Sequence, residues 1–221
     1  MRIHRTTPED VWNRVKVARR VHRERQYCAR KQGPNWGKVA IRAKAYFAKM
    51  RGSPHDELQI YPVEVLWSFA GSLIGIGILS WCGSVLFPGK DNLLLMGTFG
   101  ASAMLLFGAP LVPFAQPRNV IGGHVISALT GIAILKLFGD TPQIVPMLAV
   151  AGAIAAMHLT GSLHPPGGGT ALLMVTGSPT VDQYGFFSAL FPIGTGALIL
   201  VLVALVVNNL ARDRRYPVAW W

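Results

Sequence analysis

The residues able to do chemistry are few and sit in apolar surroundings. His164 stands in Leu163-His164-Pro165-Pro166-Gly167-Gly168-Gly169-Thr170, and His124 and His158 lie in other uncharged runs. An imidazole in such a place can take up a proton, donate to an anion or hold a metal. Gly167, Gly168, Gly169 and Thr170 open a helix, where the first N–H groups lack internal partners and carry the positive end of the helix dipole. Glycines let an anion approach that backbone closely, and the hydroxyls of Thr170 and Ser162 add donors. A second polar cluster, Gln116-Pro117-Arg118-Asn119 followed by Gly122-Gly123-His124, supplies a guanidinium, an amide and a further ring. The expected substrate-binding set is therefore His164, Gly167, Gly168, Gly169, Thr170, Arg118, Asn119 and His124, and the chemistry it suits is capture of a small anion. Several of these residues also have a plainer reading. Arg118 in a turn sets topology first, His124 can bond a neighbouring helix, and His158 reads as structural. Glycines of membrane helices are close-packing surfaces more often than ligand sites, which is the reading given to Gly71, Gly75, Gly77, Gly97 and Gly100. Catalysis has little support. Gly161-Ser162-Leu163-His164 lacks the spacing of a nucleophile elbow, and apart from Glu64 at the edge of one span no Asp or Glu falls within an apolar span to pair with a base. No enzyme activity and no cofactor is expected. The competing reading is a metal-binding membrane enzyme or metal carrier using His124, His158 and His164, weakened by the lack of carboxylate or thiolate partners. A third is a scaffold that transports nothing.

The elements that must hold these residues are set by composition. Of 221 residues 51% are hydrophobic and 14% charged, about half the charge of an ordinary soluble domain. Residues 1–55 hold 15 of the 21 Lys and Arg with only Glu9, Asp10 and Glu24 against them. The remaining 166 residues carry six basic and seven acidic side chains. That part excludes a water-soluble enzyme and reads as a helical membrane domain. With only Cys28 and Cys82, neither a disulfide framework nor a Cys zinc site is supported. Stretches long enough for a bilayer core of roughly 30 Å are residues 62–87, 93–115, 120–138 and 186–210. Residues 143–179 are too long for one span and are interrupted by the Pro-Pro-Gly-Gly-Gly run, which predicts a helix over 144–160, a break, and a short helix over about 167–177. Pro165 and Pro166 lack N–H groups, so the carbonyls of Gly161 and Ser162 lose their helical donors. A break of this kind survives in a membrane where it faces protein or a water-filled cavity.

The fold class expected is thus an all-α integral membrane bundle of five to six segments, one of them broken. Six crossings place Arg118, Arg212, Arg214 and Arg215 on the side of the basic arm, as the positive-inside rule favours. A weak repeat at a spacing of 69 residues aligns Gly100, Gly108 and Pro110 with Gly169, Gly177 and Pro179. It suggests a 3+3 inverted repeat of the kind that builds a central transport site. Residues 1–55 form a basic arm in which Val11, Val15, Ala18 and Val21, then Val39, Ala43, Tyr46, Phe47 and Met50, make apolar stripes. The arm reads as interfacial helices on anionic lipid headgroups, ahead of an organelle presequence or a nucleic-acid contact. The expected organisation is arm 1–55, transmembrane domain 56–211 and a short cytoplasmic tail 212–221. The membrane is expected to be a bacterial plasma membrane with the N-terminus inside, an organelle membrane being the other choice. Association into a homo-oligomer is left open.

Three ordered motifs resemble the HPP family of integral membrane proteins. They are Gly100-Ala-Ser-Ala with Phe107-Gly108-Ala-Pro110, Ala115-Gln116-Pro117-Arg118-Asn119-Val-Ile-Gly122-Gly123-His124, and Leu163-His164-Pro165-Pro166-Gly-Gly-Gly-Thr-Ala-Leu, whose His-Pro-Pro names the family. The resemblance covers about residues 60–210 and leaves the arm outside. It implies about four transmembrane segments, fewer than the apolar runs suggest. Some cyanobacterial and plastid members are implicated in nitrite transport, so it also implies a nitrite-like anion. The expected function is a transporter or permease for a small inorganic anion, nitrite foremost. If His164 must be protonated to attract it, uptake should rise as pH falls through about 6.5.

Overall fold

A computed structural model of the chain describes residues 36–50, 61–86, 94, 96–139, 141–177 and 179–220. The chain divides into two units, residues 1–59 and 60–221. In the first, helix α1 (Trp36–Lys49) carries the second apolar stripe of the arm, with Ile41, Tyr46 and Phe47 exposed on it and Met50 exposed just beyond its end. The stripe expected over Val11 to Val21 lies outside the described residues.

The regular elements among the described residues of the second unit are all helical: α2 (Pro62–Leu86), α3 (Gly97–Ala103) running into a π turn over Met104–Gly108, α4 (Pro117–Phe138), α5 (Val145–Leu159), α6 (Pro166–Thr176), α7 (Pro179–Tyr184) and α8 (Thr195–Leu210). Among the described residues, three apolar segments are long enough to cross a membrane, Pro62–Leu86, Pro117–Phe138 and Val181–Leu210. The last is not one straight helix, because Phe191 adopts φ −135°, ψ 114° inside it. The 11 residues of α6 span about 16 Å, roughly half a bilayer core. The break expected after residue 160 is present: α5 ends at Leu159, Gly161 turns the chain at φ +63°, and α6 begins at Pro166. The single span expected over 93–115 is corrected. Its helix runs from Gly97 to Gly108 and stops there, because Pro110 cannot donate and biases the residue before it away from the α region. Ala109 accordingly sits at φ −143°, ψ 57°.

The packing is inside out relative to a soluble protein. Leu66, Phe69, Leu73, Trp81, Leu137, Leu159, Leu202 and Val206 are exposed, whereas Ser102, His124, Ser127, His164, Thr170, Ser188 and Asn208 are fully buried. A surface this apolar suits lipid, and a polar centre suits groups that can bond only one another. Close approach comes from small residues. A side chain at Gly71 or Gly75 on α2 would collide with the ring of Phe107, and one at Gly131 on α4 would sit 2.7 Å from the Ala171 carbonyl oxygen on α6. The packing role expected of Gly77, Gly97 and Gly100 is not found, since a Cβ there would meet nothing within 4 Å. The two segments of the weak repeat are neighbours, with the Thr98 methyl against Gly169.

Candidate functional site

Helix α4 starts at Pro117, where a missing N–H costs nothing, and its first turns lie along the break. The Arg118 guanidinium donates to the Thr160 carbonyl at 2.6 Å and the Asn119 amide to the Leu163 carbonyl at 2.8 Å. The break's own backbone closes further bonds, Ser162 N–H to the Met157 carbonyl and Gly167 N–H to the His164 carbonyl, both at 2.9 Å. One turn further along α4, Gly123 lies so close to His164 that any side chain at 123 would strike its Cβ, and a Cβ on Gly167 would be 2.6 Å from Ser127 Oγ. This seam seats the His164 ring beside His124, with 5.0 Å between ring centres.

The two rings share one hydroxyl. Ser102 Oγ on α3 lies 2.8 Å from Nε2 of His124 and 2.8 Å from Nε2 of His164, and 3.0 Å from the carbonyl of Thr98. His124 Nδ1 meets Thr170 Oγ1 at 2.7 Å, and His164 Nδ1 donates to the Phe114 carbonyl at 2.8 Å. Ser102, His124, His164 and Thr170 are all fully buried. Phe114 lies in a 3₁₀ turn, Pro113–Ala115, between α3 and α4. That turn is tied to the C-terminal segment: Tyr216 donates its hydroxyl to the Ala115 carbonyl, and Gln116 accepts from Val218 N–H while donating to the Pro110 and Val112 carbonyls.

The eight expected binding residues therefore fall into three groups. His124, His164 and Thr170 form the bonded centre, Arg118 and Asn119 clamp the break, and the glycines line α6. The N–H groups of Gly167 and Gly168 donate to the carbonyls of His164 and Pro165. Gly168 and Gly169 border an apolar groove of about 540 Å³ that also touches Val150, Ile154, His158 and Leu163. The three-histidine metal set does not form, because His158 is exposed on α5 and no group of three His, Cys, Asp or Glu converges among the described residues. The sequence does not single out Ser102 or the Phe114 carbonyl. A serine in an apolar run 62 positions from His164 leaves no spacing signal, although it sits inside the Gly-Ala-Ser-Ala motif. Thr98 Oγ1, one turn before Ser102, is buried without a hydrogen-bond partner.

An apolar exterior, a broken helix and a wholly buried polar centre define an α-helical integral membrane protein. Residues 58–217 match the HPP transmembrane region, and the chain belongs to the HPP family. It is similar to two proteins of Dictyostelium discoideum described as transmembrane proteins. It is 42% identical to one over 180 residues, covering 80% of this chain and 57% of the relative, and 42% identical to the other over 183 residues, covering 80% and 63%. The chain thus spans about three-fifths of the length of these relatives. No solved structure matches it.

Proposed function

We propose that this protein is a transporter for a small monovalent anion, with nitrite the substrate that the family resemblance implies. The observation that carries the reading is the buried centre. Two imidazoles and two hydroxyls are enclosed beside the N-terminal turn of α6, and helices α3 to α6 contain no Asp or Glu. Such a centre sets imidazoles and the positive end of a helix dipole, which suit an anion, where no carboxylate stands for a cation. Arg118, half-buried at the mouth of the break, adds to the same sign of potential. The basic arm is read as facing the cytoplasm and the membrane as a bacterial plasma membrane, on the positive-inside bias.

Nitrite uptake into liposomes carrying the purified protein tests this, with nitrate and chloride as competitors and protein-free vesicles to subtract leak of nitrous acid. Saturable uptake is expected in the wild type and in Gly97→Leu, whose added side chain points into open space. Gly168→Leu, which fills the groove beside the break, is expected to abolish it. A folded wild type that moves no nitrite would overturn the reading.

A further inference from the structure

The three contacts of Ser102 Oγ cannot all be hydrogen bonds while both rings are neutral. A hydroxyl has one hydrogen to give and two lone pairs to accept with. The Phe114 carbonyl can only accept, so His164 carries its hydrogen on Nδ1, and a neutral His164 then has a bare Nε2. In that state Ser102 donates to His164 Nε2 and accepts from His124 Nε2–H, Thr170 donates to His124 Nδ1, and the Thr98 carbonyl is left unused at 3.0 Å. One added proton on His164 Nε2 changes only the direction of the Ser102 hydroxyl. Both Nε2–H groups then donate to Ser102 Oγ, and its own hydrogen turns onto the Thr98 carbonyl. Every contact is satisfied, and the cluster carries one positive charge on His164. The centre is thus fully bonded in two protonation states that differ by one proton and one hydroxyl rotation.

Among the described residues, no acid on the helices that carry the centre partners the charged state. Helices α3 to α6 bear no acid, and the other charged or titratable groups on them are Arg118, bonded at the break, Lys136 near the far end of α4 and His158 on the exposed face of α5. Around the Phe114 turn the titratable groups are Tyr216, which donates to Ala115, and Glu64, Asp213 and Arg214, which line a pocket with Pro110 and Val112, Glu64 being paired with Arg214. An enclosed cation without a counter-charge is costly, so an anion bound beside it and the proton on His164 each favour the other.

We propose that His164, bridged through Ser102 to His124, is the proton-coupling site of the transporter, loading one proton with each anion so that the pair moves without net charge. The proton comes from water on the loading side and returns to water with the anion; no covalent bond other than N–H forms or breaks. The proposal rests on the transport reading for its anion, and its test separates the two.

The test is ¹⁵N-histidine NMR of the full chain in lipid vesicles, titrated with sodium nitrite at fixed pH, with proton uptake followed by an indicator dye. The expected result is conversion of His164 from one N–H to two, with His124 remaining neutral, and uptake of one proton per nitrite bound. Nitrite affinity should rise about tenfold per unit fall in pH over the range where His164 is neutral before binding. Ser102→Ala, which removes the shared acceptor, should lower the proton uptake per nitrite. Saturable nitrite binding with no proton uptake and a neutral His164 overturns the proposal and leaves anion transport standing. If the wild type binds no nitrite, the transport reading falls, and an acid titration in chloride decides the remainder. A second N–H on His164 by roughly pH 5 keeps the proton site; a ring neutral to that point ends it.

Discussion

At the scale of single residues, neighbouring glycines of one motif have opposite roles. A Cβ at Gly167 would stand 2.6 Å from Ser127 Oγ and 3.0 Å from both the Gly123 carbonyl oxygen and Met157 Sδ, while one at Gly168 would meet only Val150 Cγ1 at 3.8 Å. Overpacking costs about 1–3 kcal/mol, and alanine in a helix gains up to about 1 kcal/mol over glycine. Gly167→Ala should therefore lower the unfolding temperature in detergent, whereas Gly168→Ala should leave it unchanged or raise it. Equal shifts would show that the seam between α4 and α6 is looser than described. The break itself is legible in the sequence, because two prolines remove donors wherever they stand. Its closure is not. The carbonyls that take side-chain donors are those of Thr160 and Leu163, reached by Arg118 and Asn119 more than 40 positions earlier. Sequence alone identifies these two side chains as polar groups at a helix start, and only packing shows that they hold backbone.

Among elements, the short 3₁₀ turn before α4 controls the site, since its Phe114 carbonyl fixes the hydrogen of His164. Read from sequence, Arg214 is a charge that sets topology. In the structure it is 8% exposed and lies across α2, the π turn and α8. It donates to Glu64, to the Phe107 carbonyl, to Asn208 Oδ1 and to Ser68. A lysine keeps the charge but has no planar fork to reach these acceptors together. Arg214→Lys should cost about 2 kcal/mol, read as a lower unfolding temperature, and a neutral effect would show that the C-terminal segment is not a clamp. Tyr216 adds a pH signature. Burial pushes its phenol well above the ordinary value, so the neutral form is the one folding favours. Its contribution is complete below the unfolded value of about 10 and is lost as pH rises toward the folded one. Alkaline destabilisation beyond that pH should be smaller in Tyr216→Phe than in wild type, as thermal melts across the range would show.

For the whole molecule, charge is divided unevenly, with a strongly basic arm and a nearly neutral domain. The arm holds 15 basic residues against three acids, and the domain of residues 60–221 buries a polar centre of Ser102, His124, Ser127, His164 and Thr170. Membrane character was plain in the sequence because apolar runs of about 20 residues have one common use. Which small segments stop short of a full crossing was not, because hydropathy averages over the prolines that end a helix early. The reading of the arm as a lipid-surface anchor rests on long-range attraction, which needs no particular fold: each Lys or Arg near an anionic surface gains about 1 kcal/mol, and exposed Tyr46, Phe47 and Met50 can enter the interface. A peptide of residues 1–55 should therefore float with vesicles containing about 30% anionic lipid and not with neutral ones, and should detach as salt approaches about 1 M, where screening shortens to about 3 Å. Equal binding to neutral vesicles would assign the contact to the apolar stripe alone. Loss of binding in tryptophan-fluorescence titrations of a peptide with every Lys and Arg of residues 1–35 neutralised, but not of one altered in residues 36–50, would place the anchoring charge before α1.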